Sequence, residues 1–99
     1  MVRHVIIWEL KDELSAEQKA EAAAKIKSDL EALKGVIEGL EEIKVISEPL
    51  ATSNGDVMLD SLFTDEAALA YYADHPEHVK CKGYIGGVTK SRKCVDYLI

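Results

Sequence analysis

The order in which apolar residues repeat along the chain restricts its fold more than any other feature. Apolar residues alternate at a period of two over Val2–Leu10 and then recur at helical spacing after Ser15. Two more alternating segments, a second helical segment and a last alternating segment follow. This β-α-β-β-α-β order predicts a ferredoxin-like α+β fold, with a four-stranded antiparallel sheet and both helices on one face.

Local signals place the first helix and the central strands. Ser15 and Gln18 form a capping box that opens the helix, and Gly35 is its expected end. Strands are expected over residues 40–47 and 56–64, with a turn at the Asn-Gly pair just before the second of them. The residues expected on the buried face of the first helix are Ala16, Ala20, Ala23, Ile26, Leu30 and Leu33.

A second helix is expected to begin at residues 64–66, which cap and acidify its first turn, and to continue through AALAYYAD. Pro76 ends this helix, because the residue before a proline avoids the helical region. Pro76 also suits the first position of a new short helix that carries Glu77 and His78 in its first turn. A final strand is expected over residues 89–99. The glycines expected to form a loop before it are Gly83, Gly86 and Gly87.

The second face of the predicted sheet has no helix left to cover it. Two helices cover only one face, yet Val5, Ile7 and Val95 alternate onto the other. An uncovered apolar face of this size predicts a partner, most simply a second copy of the chain. We therefore expect a homodimer whose two sheets pack face to face in a barrel-like arrangement.

Length and charge restrict the partners further. The chain of 99 residues fits a single domain, residues 1–99, with a core that needs no metal or disulfide. A net charge of -6 without a basic run argues against nucleic acid and anionic membranes as partners. The N-terminal apolar run is too short for a secretory leader or a membrane span, so a cytoplasmic protein is expected.

The two cysteines stand alone in the sequence. Cys81 and Cys94 lack the spacing of a metal or redox motif, which is typical of a reduced cytoplasmic protein. Both are expected to act as small buried or half-buried apolar side chains. The sequence also has no phosphate-binding glycine loop and no serine or cysteine nucleophile motif.

The predicted topology brings His4 and Asp96 together. The last strand runs antiparallel beside the first, so the end of one lies next to the start of the other. His4 shares the helix-covered face with Ile6 and Trp8, and Asp96 alternates onto the same face. A carboxylate beside a histidine can fix its tautomer for a function, and the two groups can equally satisfy each other within the core.

Tyr72 and His78 form a second candidate pair. Tyr72 falls on the side of the second helix that faces the sheet, where its hydroxyl needs a partner. Beyond the proline break, His78 can turn back towards it, and an imidazole with a phenol suffices for general acid-base chemistry. A histidine that caps a helix end explains the same pattern. A metal site at His75 and His78 is disfavoured, because the proline between them spoils the helical geometry that would aim both at one ion.

Three segments resemble those of the stress-responsive alpha-beta barrel proteins, the Dabb domain family. They are RHVIIWELKDELSAEQK at the start, YYADHPEHV in the middle and CVDYLI at the end. The resemblance covers essentially the whole chain. It implies a dimeric ferredoxin-like barrel without a cofactor, cytoplasmic as in most bacterial members.

The resemblance also implies roles for individual residues. One plant branch of the family, a polyketide cyclase that forms olivetolic acid, uses a tyrosine and a histidine as acid-base catalysts on a poly-β-keto thioester. These residues correspond here to Tyr72 and His78, and the supporting histidine and aspartate correspond to His4 and Asp96. His75 matches the first histidine of the family's His-Pro motif, whose role is more structural. Small residues in EAAAKI replace the aromatic pocket residues of that cyclase, so its specificity does not carry over.

Three functional hypotheses follow. In the first, a pocket that includes Ile6, Trp8 and His75 binds an apolar or keto-bearing metabolite, with His78 as base and Tyr72 as acid or orienting donor. In the second, the protein is a non-catalytic stress-response dimer whose interface carries the function. In the third, it is related to the monooxygenases and haem-degrading enzymes that share the dimeric fold.

Overall fold

A computed structural model describes residues 1–99 and confirms the predicted α+β architecture. Its elements are β1 (Val2–Leu10), α1 (Ala16–Glu31), β2 (Leu40–Ile46), β3 (Val57–Phe63), α2 (Glu66–Asp74), α3 (Pro76–Val88) and β4 (Thr89–Leu98). The strands form one antiparallel sheet in the order β2-β3-β1-β4. The fold is therefore ferredoxin-like, with the predicted second helical region divided into α2 and α3.

Alternation along β1 separates the two faces of the sheet. Ile6 and Trp8 are each 4% exposed on the face beneath the helices, and His4 shares that face. Val5 is half-buried and Ile7 is 41% exposed on the opposite face. Since side chains alternate at a period of two, β1 contributes to the core on one side and to an open surface on the other.

Helix α3 corrects the predicted loop at the glycines. It runs for 13 residues from Pro76, so Gly83, Gly86 and Gly87 lie within a helix. Each glycine costs about 1 kcal/mol relative to alanine in a helix interior, a weak preference that tertiary packing overrides. Here the buried side chains of Cys81 and Ile85 anchor the helix to the core.

Helix α1 begins as predicted and buries four of the six residues expected on its inner face. The capping box is present, because the Ser15 hydroxyl accepts from the Gln18 amide at 3.1 Å and the Gln18 side chain accepts from the Ser15 amide at 2.8 Å. Ala16 and Ala20 are exposed, contrary to expectation, since burial begins only after the first turn. The buried residues of α1 are Ala22, Ala23, Ile26 and Leu30.

None of the three helices has the length and apolar character that crossing a bilayer requires.

The sheet face opposite the helices carries apolar side chains in the open. The exposed fractions are 41% for Ile7, 60% for Val95 and 49% for Tyr97. Cross-strand pairing places Val95 opposite Val5 and Ile7 opposite Met58. These side chains (Val5, Ile7, Met58, Val95 and Tyr97) are named the open face below.

Gly39 allows α2 to pack closely against the start of β2. It has a φ of +89°, and a Cβ at this position would lie 2.5 Å from the Ala68 Cβ. Ala68 lies in the first turn of α2, one turn before Tyr72. Gly35 has a similar φ of +82° but no atom within 4 Å of a Cβ built on it. The close approach at Gly39 therefore sets the position of the helix that carries Tyr72.

These two glycines provide a matched test of that packing. Gly35→Ala is expected to lower the free energy of unfolding by about 1–2 kcal/mol, the usual penalty of a left-handed backbone conformation. Gly39→Ala is expected to cost about 1–3 kcal/mol more, because the added methyl group must displace α2. Urea unfolding of both variants measures the difference. Equal losses would contradict the proposed close contact with Ala68.

Candidate functional site

A cavity of about 360 Å³ lies between the helices and the sheet. Apolar side chains form most of its wall, among them Ile6, Trp8, Leu30, Leu59, Leu69 and Ile85. The polar lining residues are His4, Tyr72, His78, Lys82, Thr89 and Arg92. A small apolar cavity with a few convergent polar groups is the usual form of a small-molecule site.

Tyr72 is the most deeply buried polar group of the cavity. Its side chain is 1% exposed, and its ring packs against Phe63 at a centroid distance of 4.9 Å. The ring also stacks on the His78 imidazole, with centroids 4.0 Å apart. The Tyr72 hydroxyl has no hydrogen-bond partner. An unpaired buried hydroxyl costs about 1–3 kcal/mol, so it marks a position where a ligand atom would restore a lost hydrogen bond.

The environment of Tyr72 keeps its phenol protonated. Burial raises the pKa of Tyr72 well above its ordinary value, and the Cys81 thiol adds to the effect, while the positive charge of Arg92 acts in the opposite direction. Desolvation has this effect because it disfavours the charged phenolate. At neutral pH Tyr72 is therefore a hydrogen-bond donor and cannot act as the base.

His78 has the complementary properties of a base. Its Nδ1 lies 3.2 Å from the carbonyl oxygen of Ala73. A carbonyl can only accept, so Nδ1 carries the hydrogen and the Nε2 lone pair remains available. Burial lowers the pKa of His78, and the charge of Lys82 lowers it further. The imidazole is therefore neutral and able to take a proton at neutral pH.

His4 and Asp96 meet across β1 and β4, as the topology predicts. They are directly opposite in the strand register, and His4 Nδ1 is hydrogen-bonded to Asp96 Oδ1. Because a carboxylate accepts, Nδ1 carries the hydrogen, and Nε2 is the ring nitrogen left for other partners. The His4 carbonyl accepts from the Ser61 hydroxyl at 2.9 Å, and the His4 ring lies 6.2 Å from the Tyr72 ring.

The cavity brings together most, but not all, of the residues singled out from the sequence. His4, Ile6, Trp8, Tyr72 and His78 line it, whereas Asp96 reaches it only through His4. The predicted pocket residue that does not line it is His75. The His75 side chain instead caps α3, where Nδ1 accepts from the Glu77 amide at 3.1 Å, and it packs edge-on against Tyr71.

Two cationic lining residues, Lys82 and Arg92, were not predicted. Lys82 follows His78 by four residues on α3 and so lies on the same helix face. The sequence pattern predicted only a short helix at Pro76 followed by a glycine loop, so it did not place Lys82 on the same helix face as His78. Arg92 is opposite Trp8 in the β1–β4 register, four residues along each strand from the His4–Asp96 pair. The pairing of His4 with Asp96 implies this register, so the position of Arg92 opposite Trp8 could have been predicted from the sequence.

One group of side chains has the spacing of a metal site. The ligand atoms of His4, Cys94 and Asp96 lie within 4.8 Å of one another. The direct bond between His4 and Asp96 already engages the Nδ1 and carboxylate atoms that would bind an ion. Cys94 is exposed, contrary to the prediction that it is buried or half-buried, because β4 is an edge strand. Cys81 is buried, in agreement with that prediction. The arrangement therefore favours a hydrogen-bonded pair over a metal centre.

Comparison with known proteins identifies relatives across the whole length of this fold. The model of the family described as Stress responsive A/B Barrel Domain, Dabb, matches residues 2–99. No curated protein matches the sequence. A dimeric protein of unknown function with a ferredoxin-like fold, from Bacteroides fragilis, shares 30% sequence identity. The TM-score is 0.93, and the match covers 99% of this chain and 95% of that one.

More distant structures share the fold alone. A Dabb family protein from Mesorhizobium loti with a ferredoxin-like fold is 19% identical, with a TM-score of 0.76 over 99% of this chain and 95% of that one. The hydroxynitrile lyase from Passiflora edulis is 16% identical, with a TM-score of 0.80 over 99% of this chain and 92% of that one. At these identities the likeness concerns architecture and not activity.

The titration of His78 tests the electrostatics of the site. We expect the pKa of His78 to lie below its ordinary value of 6.5, because burial disfavours the imidazolium. The unfolded chain then binds more protons below about pH 6.5, so the free energy of unfolding falls as the pH falls towards the folded-state pKa. NMR titration of the ring protons and urea unfolding across the same pH range measure both effects. In His78→Gln this part of the pH dependence should disappear; a pKa of 6.5 or higher would contradict the assignment.

Proposed function

Because the chain belongs to the stress responsive A/B barrel domain family, we propose that it is a homodimeric barrel protein that binds a small apolar or keto-bearing metabolite and catalyses a cofactor-independent proton transfer. The proposal rests on one observation, the buried Tyr72 hydroxyl without a hydrogen-bond partner beside the neutral imidazole of His78. Two adjacent groups whose pKa values are shifted in opposite directions are characteristic of an acid and a base.

The chemistry assigned to this pair is the removal of a proton from a carbon next to a carbonyl group. His78 Nε2 takes the proton, the electron pair of the broken C–H bond forms a C=C bond, and the π pair of the carbonyl moves onto its oxygen. Tyr72 donates a hydrogen bond to that oxygen as its negative charge develops, which stabilises the enolate. Return of the proton to a different atom gives isomerisation. Attack of the enolate carbon on a second carbonyl gives cyclisation, and the alkoxide formed there takes the proton back from His78.

His4 and Asp96 support this arrangement from the sheet. Asp96 fixes the tautomer and orientation of His4, whose ring lies against the ring of Tyr72 at 6.2 Å. We assign a positioning role to both residues and a catalytic role to Tyr72 and His78. The hydroxynitrile lyase from Passiflora edulis is an enzyme on the same fold, although its low identity carries no activity over to this chain.

The homodimer in this proposal forms through the open face. Its apolar side chains include Val95 and Tyr97, exposed by 60% and 49%. Arg3, which shares this face, is neutralised by Asp60 at 3.1 Å and Glu42 at 3.6 Å, so its charge does not oppose close packing. The relative from Bacteroides fragilis, at 30% identity, is described as dimeric. A cytoplasmic location stays a prediction from the sequence.

The same open face favours the second hypothesis, a non-catalytic dimer of the stress response. In that case the cavity residues serve the core, and their loss lowers stability without any effect on a reaction. The unpaired Tyr72 hydroxyl distinguishes the two hypotheses, because a group without a partner contributes no hydrogen bond to the folded state.

Removing the two catalytic groups tests the proposed chemistry. Deuterium exchange next to the carbonyl of keto-acids and acyl thioesters, followed by NMR in heavy water, reports proton abstraction directly. His78→Gln and Tyr72→Phe are each expected to lower the exchange rate by about 10²–10⁴-fold. Tyr71→Phe, at the exposed neighbouring position, is the matched control and should retain the rate.

The exchange rate of Tyr72→Phe separates the catalytic from the structural interpretation. Tyr72→Phe removes a hydroxyl that makes no hydrogen bond, so the free energy of unfolding should stay the same or rise in either case. The catalytic role predicts a slower exchange in this stable variant, whereas a purely structural role predicts no change in the exchange rate. Full exchange activity in both His78→Gln and Tyr72→Phe would end the catalytic proposal.

A charge on the open face tests the dimer interface. The native chain is expected to be a dimer at low micromolar concentration in light scattering. Val95→Glu should shift it to the monomer, because burial of an unpaired carboxylate between two sheets is costly. Val36→Glu, at an exposed apolar position after α1, is the control that should leave the dimer intact. A monomeric native chain would rule out the interface.

A further inference from the structure

The charges around the cavity are all of one sign. Lys82 and Arg92 are among its 14 lining residues, whereas no aspartate or glutamate is. This is notable in a chain with 18 acidic against 12 basic residues. The two cations come from different elements, α3 and β4, that meet at the same cavity. The charged side chains that line the site are therefore opposite in sign to the net charge of the protein.

Neither cation has a carboxylate partner. The salt bridges of the protein are made by Arg3, Lys25, Lys27, Lys80, Lys90 and the His4–Asp96 pair. Lys80, two residues before Lys82 on α3, pairs with Glu77 at 3.1 Å and faces solvent. Lys82 and Arg92 are exposed as well, but they have no carboxylate partner, so their charge stays available to an occupant of the cavity that they line.

Both charges act on the groups assigned to catalysis. The charge of Lys82 is among the causes that lower the pKa of His78, and the charge of Arg92 opposes the rise in the pKa of Tyr72. Lys82 and Arg92 line the same cavity as Tyr72 and His78, so their charges face the same space as the two groups assigned to catalysis.

We propose that the cavity binds an organic oxyanion, with its carboxylate or phosphate group at Lys82 and Arg92 and its apolar or keto-bearing body against Trp8 and Leu59. This inference rests on the proposed function, for which it names the substrate class. Arginine and lysine are the side chains that bind oxyanions most strongly, arginine through two parallel hydrogen bonds. The apolar wall supplies the rest of the binding free energy.

Anion binding has a consequence for the base. The titratable groups around His78 are Tyr72, Lys82 and His4, and Lys82 is the lysine whose positive charge lowers the pKa of His78. A bound oxyanion offsets this charge and raises the pKa of His78 towards its ordinary value. Substrate binding therefore makes His78 a stronger base at the moment it is needed.

Three compounds with the same apolar body test the inference on the full chain. They are 4-phenylbutanoate, 3-phenylpropyl phosphate and the neutral 4-phenylbutanamide, followed by the NMR resonances of the His78 and Tyr72 rings. We expect an oxyanion to bind at least about tenfold more tightly than the amide, with a preference that weakens at high salt. The carboxylate or the phosphate, whichever binds more tightly, identifies the source of the anionic group. The oxyanion, but not the amide, should raise the pKa of His78.

Neutral substitutions of the two cations test whether Lys82 and Arg92 cause the preference for the oxyanion over the amide. Lys82→Gln and Arg92→Gln should each reduce the preference for the oxyanion while affinity for the amide stays the same. The matched control is Lys80→Gln on α3, because Lys80 pairs with Glu77 and does not line the cavity. This control should retain the preference.

The outcomes separate this inference from the proposed function. If the amide binds as tightly as the oxyanions and shifts the same resonances, the anionic substrate class is wrong and the cavity remains a binding site. If none of the three compounds shifts the His78 and Tyr72 resonances at millimolar concentration, the inference is overturned. The deuterium-exchange rates of His78→Gln and Tyr72→Phe then decide the proposed function independently.

Discussion

The pairing of β1 with β4 is the constraint on which the site depends. It joins the two ends of the chain in one register, with His4 opposite Asp96 and Trp8 opposite Arg92. The backbone ladder therefore fixes at once the hydrogen bond that orients His4 and the position of one cation of the cavity. Because a register slip by one residue turns every side chain to the other face, this pairing leaves little freedom for the polar groups.

Burial determines the character of the two catalytic candidates. The same loss of water raises the pKa of Tyr72 and lowers the pKa of His78, so one environment produces both a donor and a base. The stacked rings, 4.0 Å apart, keep the two groups together. Leaving the Tyr72 hydroxyl without a partner opposes folding, and the surrounding core of Phe63 and its neighbours offsets that cost.

Strand β1 serves two surfaces through its alternation. Its even-numbered residues, among them His4 and Trp8, belong to the cavity, and the odd-numbered Val5 and Ile7 belong to the open face. In the proposed dimer, packing on one face of this strand restrains the side chains on the other. Dimerisation and the geometry of the site are thus coupled through a single layer of backbone.

The sequence by itself determined the element order, the sheet topology, the meeting of His4 with Asp96 and the burial of Tyr72. These features follow from the period of apolar residues and from chain connectivity, which are both read directly from the order of residues. The length of α3 could not be predicted from the sequence. Its three glycines disfavour a helix locally, and the burial of Ile85 and Cys81 in the core stabilises the helix in spite of them.

Only the tertiary structure decided which polar side chains share the cavity. It turned His75 away to cap α3, exposed Cys94 on an edge strand, and brought Lys82 and Arg92 to the same cavity. The physical reason is that the surroundings of a side chain depend on the helix or strand that packs against it. That helix or strand is formed by residues far away in the sequence. Periodicity assigns a residue to a face, whereas packing decides what that face meets.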